Sequence, residues 1–320
     1  MNQMAFSGQV RPRLGIVDVT KSLGALRFSV ESLVQRGHVT SAQADLIRDN
    51  GSKFYHRSDE RDSESLAVGA VKDLLARNDI DPAAVGFVVF TSTVFETTAL
   101  YPDLVAQRIA RASGCTRAKV FSIQHAYCVS PFVAMKVMQA YAGPDLGQGF
   151  LAIIVCADTL GPVVEDLRAI DMLGVHSDGA AAILVGADGP RHMVVDMEIT
   201  MIPSRYRGQS ENGAIQSDPL YFAYLAKTLK KLCTANTLAD FSDIRFCPNN
   251  LNLQAWTQIA TLFGIPFGNI HFDQDCGHVF GADPFFNLID AARGDAQRFI
   301  LAASGIGGVF AAAYVERVSQ

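Results

Sequence analysis

Short, continuously apolar segments separated by amphipathic patterns are the feature that most limits how this chain can fold. Apolar runs of this length are typical of strands that are buried on both faces of a sheet. Between them, apolar residues recur at helical spacing, most clearly in 63–77 and 219–233. Strands that alternate with helices predict an α/β protein with a largely parallel sheet. The predicted strands are 85–91, 118–123, 150–156, 180–185, 244–247, 270–272 and 299–303.

The order of these elements occurs twice along the chain, which predicts an internal duplication. Because sequence identity between the two copies is weak, the repeat depends on order and spacing, and the general self-similarity of α/β chains is the alternative. We expect two related halves, 1–190 and 191–320. The matched segments, first copy before second, are 63–77 and 219–233, 85–91 and 244–247, 102–113 and 253–263, and 120–128 and 270–278.

Length and composition exclude several classes of protein. A chain of 320 residues has ample material for a core, and no apolar run reaches membrane-spanning length. The net charge of −5 does not favour binding to nucleic acid, which is itself negatively charged. Six cysteines are too few for a disulfide scaffold and show no metal-ligand spacing, so we expect no bound metal. Residues 1–8 contain no apolar stretch of the secretory type, and we expect a cytoplasmic protein.

Cys128 is the candidate nucleophile among the six cysteines. It follows the predicted strand 118–123 and precedes a segment with an early proline and helical periodicity from Ser130 onwards. A cysteine at the start of a helix lies in the partial positive charge that favours a thiolate, which attacks acyl thioesters readily. The alternative is that Cys128 packs as a small buried hydrophobe. Cys276 is the one competitor, since the other four cysteines are expected to pack in the core.

Seven segments, in order along the chain, resemble the motifs of one enzyme family. The motifs are TGIxxR, F-P, A-A-C-A-G-F, F-G-D-G-A-G-A, V-P-H-Q-A-N-L, H-G-N-T-S-A-A and F-G-G-G. The segments that resemble them here are, respectively, 51–57, 101–102, 125–132, 176–182, 247–253, 276–282 and 303–308. The chain thus resembles the thiolase superfamily, and is most similar to its β-ketoacyl carrier-protein synthase III branch. This resemblance implies a duplicated βα core of five layers (αβαβα) and a homodimer.

The resemblance also implies a catalytic set of Cys128, Asn249 and His278, in which two residue types are exchanged. Asn249 stands where the synthase III branch has histidine, and His278 stands where that branch has asparagine. Thiolases carry this other arrangement, although their second cysteine has no counterpart here. His278 has an imidazole that can serve as a base or a positive neighbour. The Asn249 amide can orient a carbonyl but cannot exchange protons, and a turn role for it stays open.

Further positions follow from the same resemblance. The oxyanion of a thioester reaction is expected to bind the backbone N–H groups of Cys128 and of Ile306 or Gly307. Asn252 matches a second family asparagine that supports its neighbours, and it has the same turn alternative. Tyr101 stands at the position that closes the acyl pocket of the partner subunit, and is expected to favour a short or polar acyl group.

Two residues concern the substrate entrance. The synthase III branch holds the coenzyme A adenine between a tryptophan and an arginine. In this sequence the tryptophan is absent, and only Arg48 could serve. The phosphopantetheine arm of an acyl carrier protein is therefore at least as good a donor as coenzyme A. His125 replaces a small family residue, and the sequence leaves open whether it lines the substrate pocket or a surface loop. No permanently bound cofactor is expected.

Three functions are compatible with these residues. The first is an acyl-thioester condensing enzyme that works through acyl-Cys128 in specialised metabolism. The second is an acyltransferase in which His278 deprotonates an alcohol or amine that accepts the acyl group from Cys128. The third is a non-catalytic subunit that supports a catalytic homologue, against which the retention of Cys128 and His278 argues.

Overall fold

The computed structural model describes residues 14–59, 63–94, 104–142, 149–160, 165–202, 220–305 and 307–318. The strands are β1 (Leu14–Leu23), β2 (Leu26–Ser29), β3 (Phe54–Arg57), β4 (Phe87–Thr91), β5 (Lys119–Ile123), β6 (Leu151–Asp158), β7 (Ala169–Ile170), β8 (Gly174–Val175), β9 (Gly179–Gly186), β10 (His192–Met201), β11 (Ile244–Cys247), β12 (Arg298–Gly305) and β13 (Val309–Arg317). The helices are α1 (Glu31–Gln35), α2 (Ser41–Asp49), α3 (Ser63–Arg77), α4 (Val105–Ala112), α5 (Ser130–Ala142), α6 (Tyr221–Ala235), α7 (Leu253–Leu262) and α8 (Asp283–Ala291).

Nine of these strands form one hydrogen-bonded ladder in the order β11-β12-β13-β10-β1-β9-β6-β4-β5. The pairs β4–β5, β4–β6 and β11–β12 are parallel, whereas the remaining pairs of this ladder are antiparallel. The prediction of a largely parallel sheet is therefore wrong, and the sheet is mixed. The reason is that β9 and β13 lie antiparallel in the middle of their halves, beside the parallel βα units that the sequence revealed.

The ladder is two sheets joined at a short seam. The seam is the pairing of β1 with β10, which is recorded for only Leu14, Gly15 and Ile16 on the β1 side. On the first side lie β1, β9, β6, β4 and β5, and on the second lie β10, β13, β12 and β11. The expected boundary at 190/191 falls in the loop between β9 and β10, and the division into two halves stays a prediction.

The buried side chains arrange these elements in five layers. One apolar cluster joins α3 and α4 to one face of β4, β6 and β9. A second cluster places α5 and α8 between the other face of that sheet and the inner face of β12 and β13, where Phe132 contacts Phe285 at 5.5 Å between ring centroids. A third cluster covers the outer face of β11, β12 and β13 with α6 and α7. This αβαβα order confirms the fold class predicted from the sequence.

Helix positions were predicted better than strand positions. The structure has α3 at the predicted bounds, and α4, α6 and α7 within a few residues of theirs. The predicted strand 270–272 is reduced to a single bridge between Ile270 and Phe246. The strands β1, β10 and β13 were not predicted. In β13, three consecutive alanines lower the local strand preference, and only burial between neighbouring strands makes this segment extended.

A smaller group of elements has an apolar cluster of its own. It comprises the antiparallel pair β2–β3 and the two helices between these strands, α1 and α2, packed around Leu33, Ile47 and Tyr55. Among the described residues, no helix is long and apolar enough to cross a membrane.

Candidate active site

Cys128 lies where the chain passes from β5 into α5, as its sequence context predicts. A short 3-10 helix, Tyr127–Val129, contains it, and α5 begins at Ser130 without a break. Tyr127 is in the left-handed region with a φ of 51°, so the chain turns sharply just before the cysteine. Cys128 is 7% exposed and packs with Leu160, Phe280 and Val94. The thiol therefore lies in mainly apolar surroundings.

His278 is the side chain that faces this thiol. Its Nε2 lies 3.8 Å from Sγ of Cys128, and its Nδ1 lies 2.5 Å from Oδ2 of Asp283. Burial alone would lower the pKa of His278, but the charge and hydrogen bond of Asp283, together with the neighbouring Cys128, raise that pKa to about 10. At neutral pH the imidazole is therefore protonated in the resting site, with Nδ1–H donating to the carboxylate.

Asp283 completes the arrangement, and the sequence analysis missed it. Its Oδ1 accepts from the backbone N–H of Val279 at 2.7 Å, and its Oδ2 accepts from the backbone N–H of Asn250 at 2.7 Å. Asp283 is fully buried at the first position of α8, where the helix dipole favours an acidic residue. The available signal was an acidic residue followed by proline, a typical helix start, five residues after His278.

Asn249 is buried and holds two segments of the site together. Its Nδ2 donates to the carbonyl of Phe280 at 3.0 Å, and its Oδ1 accepts from the backbone N–H of Ser304 at 2.8 Å. One further N–H of the amide remains for another partner. Asn249 thus sets the position of the loop that contains His278 relative to the end of β12.

Asn252 caps α7. Its backbone is in the left-handed region with a φ of 58°, and its Oδ1 accepts from the backbone N–H of Ala255 at 3.1 Å. This contact corresponds to the turn alternative that the sequence left open.

The remaining predicted site residues lie in different places. Arg48 is a half-buried residue of α2 that forms ion pairs with Glu31 and Asp45, and His125 is exposed in the loop after β5. Tyr101 and Ile306 lie outside the described residues.

The closing turn after β12 packs directly against the nucleophile loop. A Cβ added at Gly305 would lie 3.7 Å from the backbone N of Cys128, and one added at Gly307 would lie 2.4 Å from the ring of Tyr127. The 3.7 Å at Gly305 is an ordinary van der Waals contact, whereas a side chain at Gly307 would force either the Tyr127 ring or the closing turn to move. The two backbone elements expected to form the oxyanion hole are thus adjacent, although they come from opposite halves of the chain.

Thr93 is a second neighbour of the thiol that the sequence analysis did not identify. Its Oγ1 lies 3.8 Å from Sγ of Cys128. The backbone N–H of Thr93 donates to Oδ1 of Asp158 at 2.7 Å, which anchors the end of β4 beside the site. No sequence motif marks this threonine, because only the sheet brings β4 next to the loop of Cys128.

The other five cysteines are buried in the apolar core clusters. Burial raises the pKa of the Cys115 and Cys233 thiols to about 11, and raises the pKa of the Cys156, Cys247 and Cys276 thiols above their ordinary range. All six cysteines are free. Thiols of high pKa in apolar surroundings react slowly. Cys276, the competitor considered from the sequence, is 1% exposed and belongs to the core.

Among the residues that the structure describes, no group of three or more histidine, cysteine or acidic side chains could hold a metal ion. No protein-family model matches the sequence. Comparison with curated proteins likewise finds no significant match.

Solved structures resemble this one over nearly the whole chain. ChlB3, described as an acyltransferase, has a TM-score of 0.80 at 17% identity, covering 96% of this chain and 98% of its own. The 3-oxoacyl-(acyl carrier protein) synthase III of Pseudomonas aeruginosa has a TM-score of 0.78 at 16% identity, covering 96% and 99%. A variant of OleA from Xanthomonas campestris has a TM-score of 0.76 at 15% identity, covering 97% and 100%.

The chain has the thiolase fold. The resemblance that the seven sequence segments predicted is thereby confirmed at the level of the fold. In this thiolase fold, the first half of the chain provides Cys128 and Thr93, whereas the second half provides Asn249, His278 and Asp283. The site lies at the junction of the two halves, and neither half contains it alone.

Proposed function

We propose that the protein is an acyltransferase that takes an acyl group from a thioester onto Cys128 and passes it to a second substrate. The observation that carries this proposal is a chain of two contacts. Sγ of Cys128 lies 3.8 Å from Nε2 of His278, and Nδ1 of the same histidine lies 2.5 Å from Oδ2 of Asp283. A nucleophile beside an imidazole that a carboxylate orients is a recurring arrangement for acyl transfer on unrelated folds. The names of the similar structures, an acyltransferase and a 3-oxoacyl synthase, are compatible with it.

In the first half-reaction, Sγ of Cys128 attacks the carbonyl carbon of the donor thioester. The Sγ–C bond forms, the C–S bond to the donor breaks, and the leaving thiolate takes the proton that His278 holds. The negative charge on the carbonyl oxygen would be stabilised by the backbone N–H of Cys128 and by that of Gly307 or Ile306. The adjacency of the closing turn to Cys128 supports this assignment.

The second half-reaction has two candidates. In a condensation, a carbanion formed by loss of CO₂ from a malonyl-type thioester attacks acyl-Cys128, a C–C bond forms and the thiolate is released. In transfer to an alcohol or amine, neutral His278 takes the acceptor proton as the new C–O or C–N bond forms and Sγ leaves. The His278–Asp283 pair favours the second candidate, because an O–H or N–H acceptor needs a base, whereas decarboxylation does not.

The donor is proposed to be a coenzyme A thioester or an acyl carrier protein. The phosphopantetheine arm is common to both, so the same site can accept either. The ion pairs of Arg48 with Glu31 and Asp45 leave that guanidinium less available for an adenine, which supports the carrier protein. Neither donor would remain bound as a permanent cofactor.

We also propose a cytoplasmic homodimer with a role in specialised metabolism. Among the described strands, β5 is at the edge of the ladder, with Phe121 on it and Tyr141 and Phe87 beside it. An edge strand of this kind can pair with its copy in a second subunit. The free cysteines support a reducing compartment. The exchange of Asn249 and His278 relative to the synthase III branch supports a specialised role.

Intact-protein mass spectrometry after exposure to acyl-CoAs and acyl carrier proteins tests the proposal. We expect an acyl adduct on the wild type and on Cys276→Ala, a control that removes a buried cysteine, and none on Cys128→Ala. Adducts are then offered either malonyl thioesters or alcohols and amines, and the products identify the acceptor class. If no donor labels the folded wild type, the acyltransferase proposal is wrong and the non-catalytic subunit is the better hypothesis.

A further inference from the structure

His176 is an aromatic side chain next to the candidate base, and the sequence analysis assigned it no role in the site. The backbones of His176 and His278 form a parallel bridge, in which Ser177 N–H donates to the His278 carbonyl at 2.9 Å and His278 N–H donates to the Val175 carbonyl at 2.8 Å. The two rings lie 5.6 Å apart, centroid to centroid. His176 therefore lies beside His278, whose imidazole we expect to deprotonate the acceptor.

The ring of His176 packs face to face against one aromatic neighbour. It stacks on Phe280 with 4.5 Å between centroids and 11° between planes, and Phe280 in turn packs with Cys128 and Leu160. Apolar stacking of this kind is as well served by phenylalanine, the residue of the family motif that 176–182 resembles. The stack thus explains an aromatic ring here but not its two nitrogen atoms.

One of those nitrogens, Nδ1, has no hydrogen-bond partner in the part of the chain that the structure describes. This atom is buried, while the residue as a whole stays partly exposed. A buried polar atom without a partner is destabilising, so such atoms are expected to have a reason beyond packing. Burial, with the charges of His278 and Arg168, lowers the pKa of His176 well below its ordinary value. The neutral ring has one donor and one acceptor for a ligand.

We propose that His176 binds the acceptor through a second polar group, so that the preferred acceptor carries two neighbouring hydroxyl or amino groups. One group would lie at Nε2 of His278 and lose its proton, and the other would hydrogen bond to His176. With 5.6 Å between the ring centroids, the two rings are close enough for one acceptor to reach both through oxygens that are three bonds apart, as in a 1,2-diol. This inference rests on the proposed transfer to an alcohol or amine, and makes His176 a specificity-determining residue within it.

The test uses acyl-Cys128 loaded from acetyl-CoA and offers it either 1,2-propanediol or 1-propanol. Deacylation is followed by intact mass and the ester by chromatography with mass detection. For the wild type we expect kcat/KM for the diol to exceed that for the monoalcohol by about tenfold, the factor that one good hydrogen bond represents. In His176→Phe, which keeps the stack on Phe280, that preference should fall to about one through a higher KM for the diol. Activity toward 1-propanol should stay within about twofold.

His192→Phe is the matched control. Nε2 of His192 is also buried without a hydrogen-bond partner among the described residues. His192 begins β10, whereas the other end of this strand, Met201, pairs with Val309 beside the closing turn. That places His192 about 30 Å from the site, so its variant should keep the diol preference. If His176→Phe does not fold, His176→Leu removes the same nitrogens.

The outcomes separate the two proposals. An adduct that both alcohols remove equally in the wild type, or a preference that survives in His176→Phe, overturns the role of His176 and leaves the acyltransferase proposal intact. An equal loss with both alcohols in the variant indicates a merely structural role and also overturns it. Failure of the wild type to form any adduct overturns the proposed function and this inference together.

Discussion

The pair formed by His278 and Asp283 makes a prediction that does not depend on knowing the substrate. Replacement of Asp283 with asparagine removes the negative charge that offsets the burial of the imidazole. It also places an amide N–H₂ against one of the donors that now face the carboxylate. In this variant, burial becomes the dominant influence and should lower the pKa of His278 below 6.5, its ordinary value.

The size and sign of the effect follow from the pKa of His278. The difference between 6.5 and about 10 corresponds to roughly 4 to 5 kcal/mol of interaction that favours the charged ring. Between these pH values, the folded wild type keeps a proton that the unfolded chain has lost. Wild-type stability from this source is therefore complete below pH 6.5 and is lost as the pH rises toward about 10. The loss is at most about 1.4 kcal/mol per pH unit.

Urea denaturation of both proteins at pH 7, 8 and 9 measures this effect. Because the variant lacks the extra proton, the difference in unfolding free energy between wild type and Asp283→Asn should narrow as the pH rises. Asp290→Asn is the control, since Asp290 is an exposed partner of a histidine, with 3.2 Å from its Oδ2 to Nδ1 of His271. Its pH dependence should match that of the wild type. A pH-independent difference for Asp283→Asn would refute the reasoning.

Three further predictions concern neighbouring residues. His278→Ala should slow turnover of the acyl group far more than Asn249→Ala, as measured by single-turnover kinetics. Asn249→Ala should instead lower the unfolding free energy by about 2–4 kcal/mol, because two backbone groups lose their hydrogen-bond partner. Denaturant titrations measure this loss. Gly307→Ala should lower the acylation rate at least tenfold, since its Cβ would lie 2.4 Å from the Tyr127 ring and displace the closing turn; normal acylation would contradict the proposed oxyanion hole. Thr93→Val should reduce acylation about three- to tenfold through loss of a hydroxyl beside the thiol, and an unchanged rate in stopped-flow assays would exclude that contribution.

Much of the fold could be predicted from local patterns. The helix 63–77 and the strands 85–91, 150–156 and 299–303 were visible because one face or both faces of each are apolar. The strands β1, β10 and β13 were missed, since they contain polar or small residues and pair with neighbours distant in sequence. For the same reason the sheet is mixed, although the visible βα units predicted a parallel one. Strand direction depends on partners that no local pattern names.

The candidate site shows the same division. Cys128 and His278 could be singled out from their motifs, and the structure brings Sγ and Nε2 to 3.8 Å. Asp283 and Thr93 belong to no motif that names a role, and became evident only through their contacts with these two side chains. His176 was not among the predicted site residues, because nothing in its sequence context indicates that its ring lies beside His278.

The sequence by itself determined the alternation of helices and strands and the thiolase-like order of the segments that carry a cysteine, an asparagine and a histidine, and it predicted a duplication. These properties depend on periodicity and local preference, which act over a few residues. The tertiary structure decided which side chains meet, because the site forms where segments more than one hundred residues apart in the sequence pack together. That packing buries His278 against Asp283, and this burial determines the charge of the imidazole that faces Cys128.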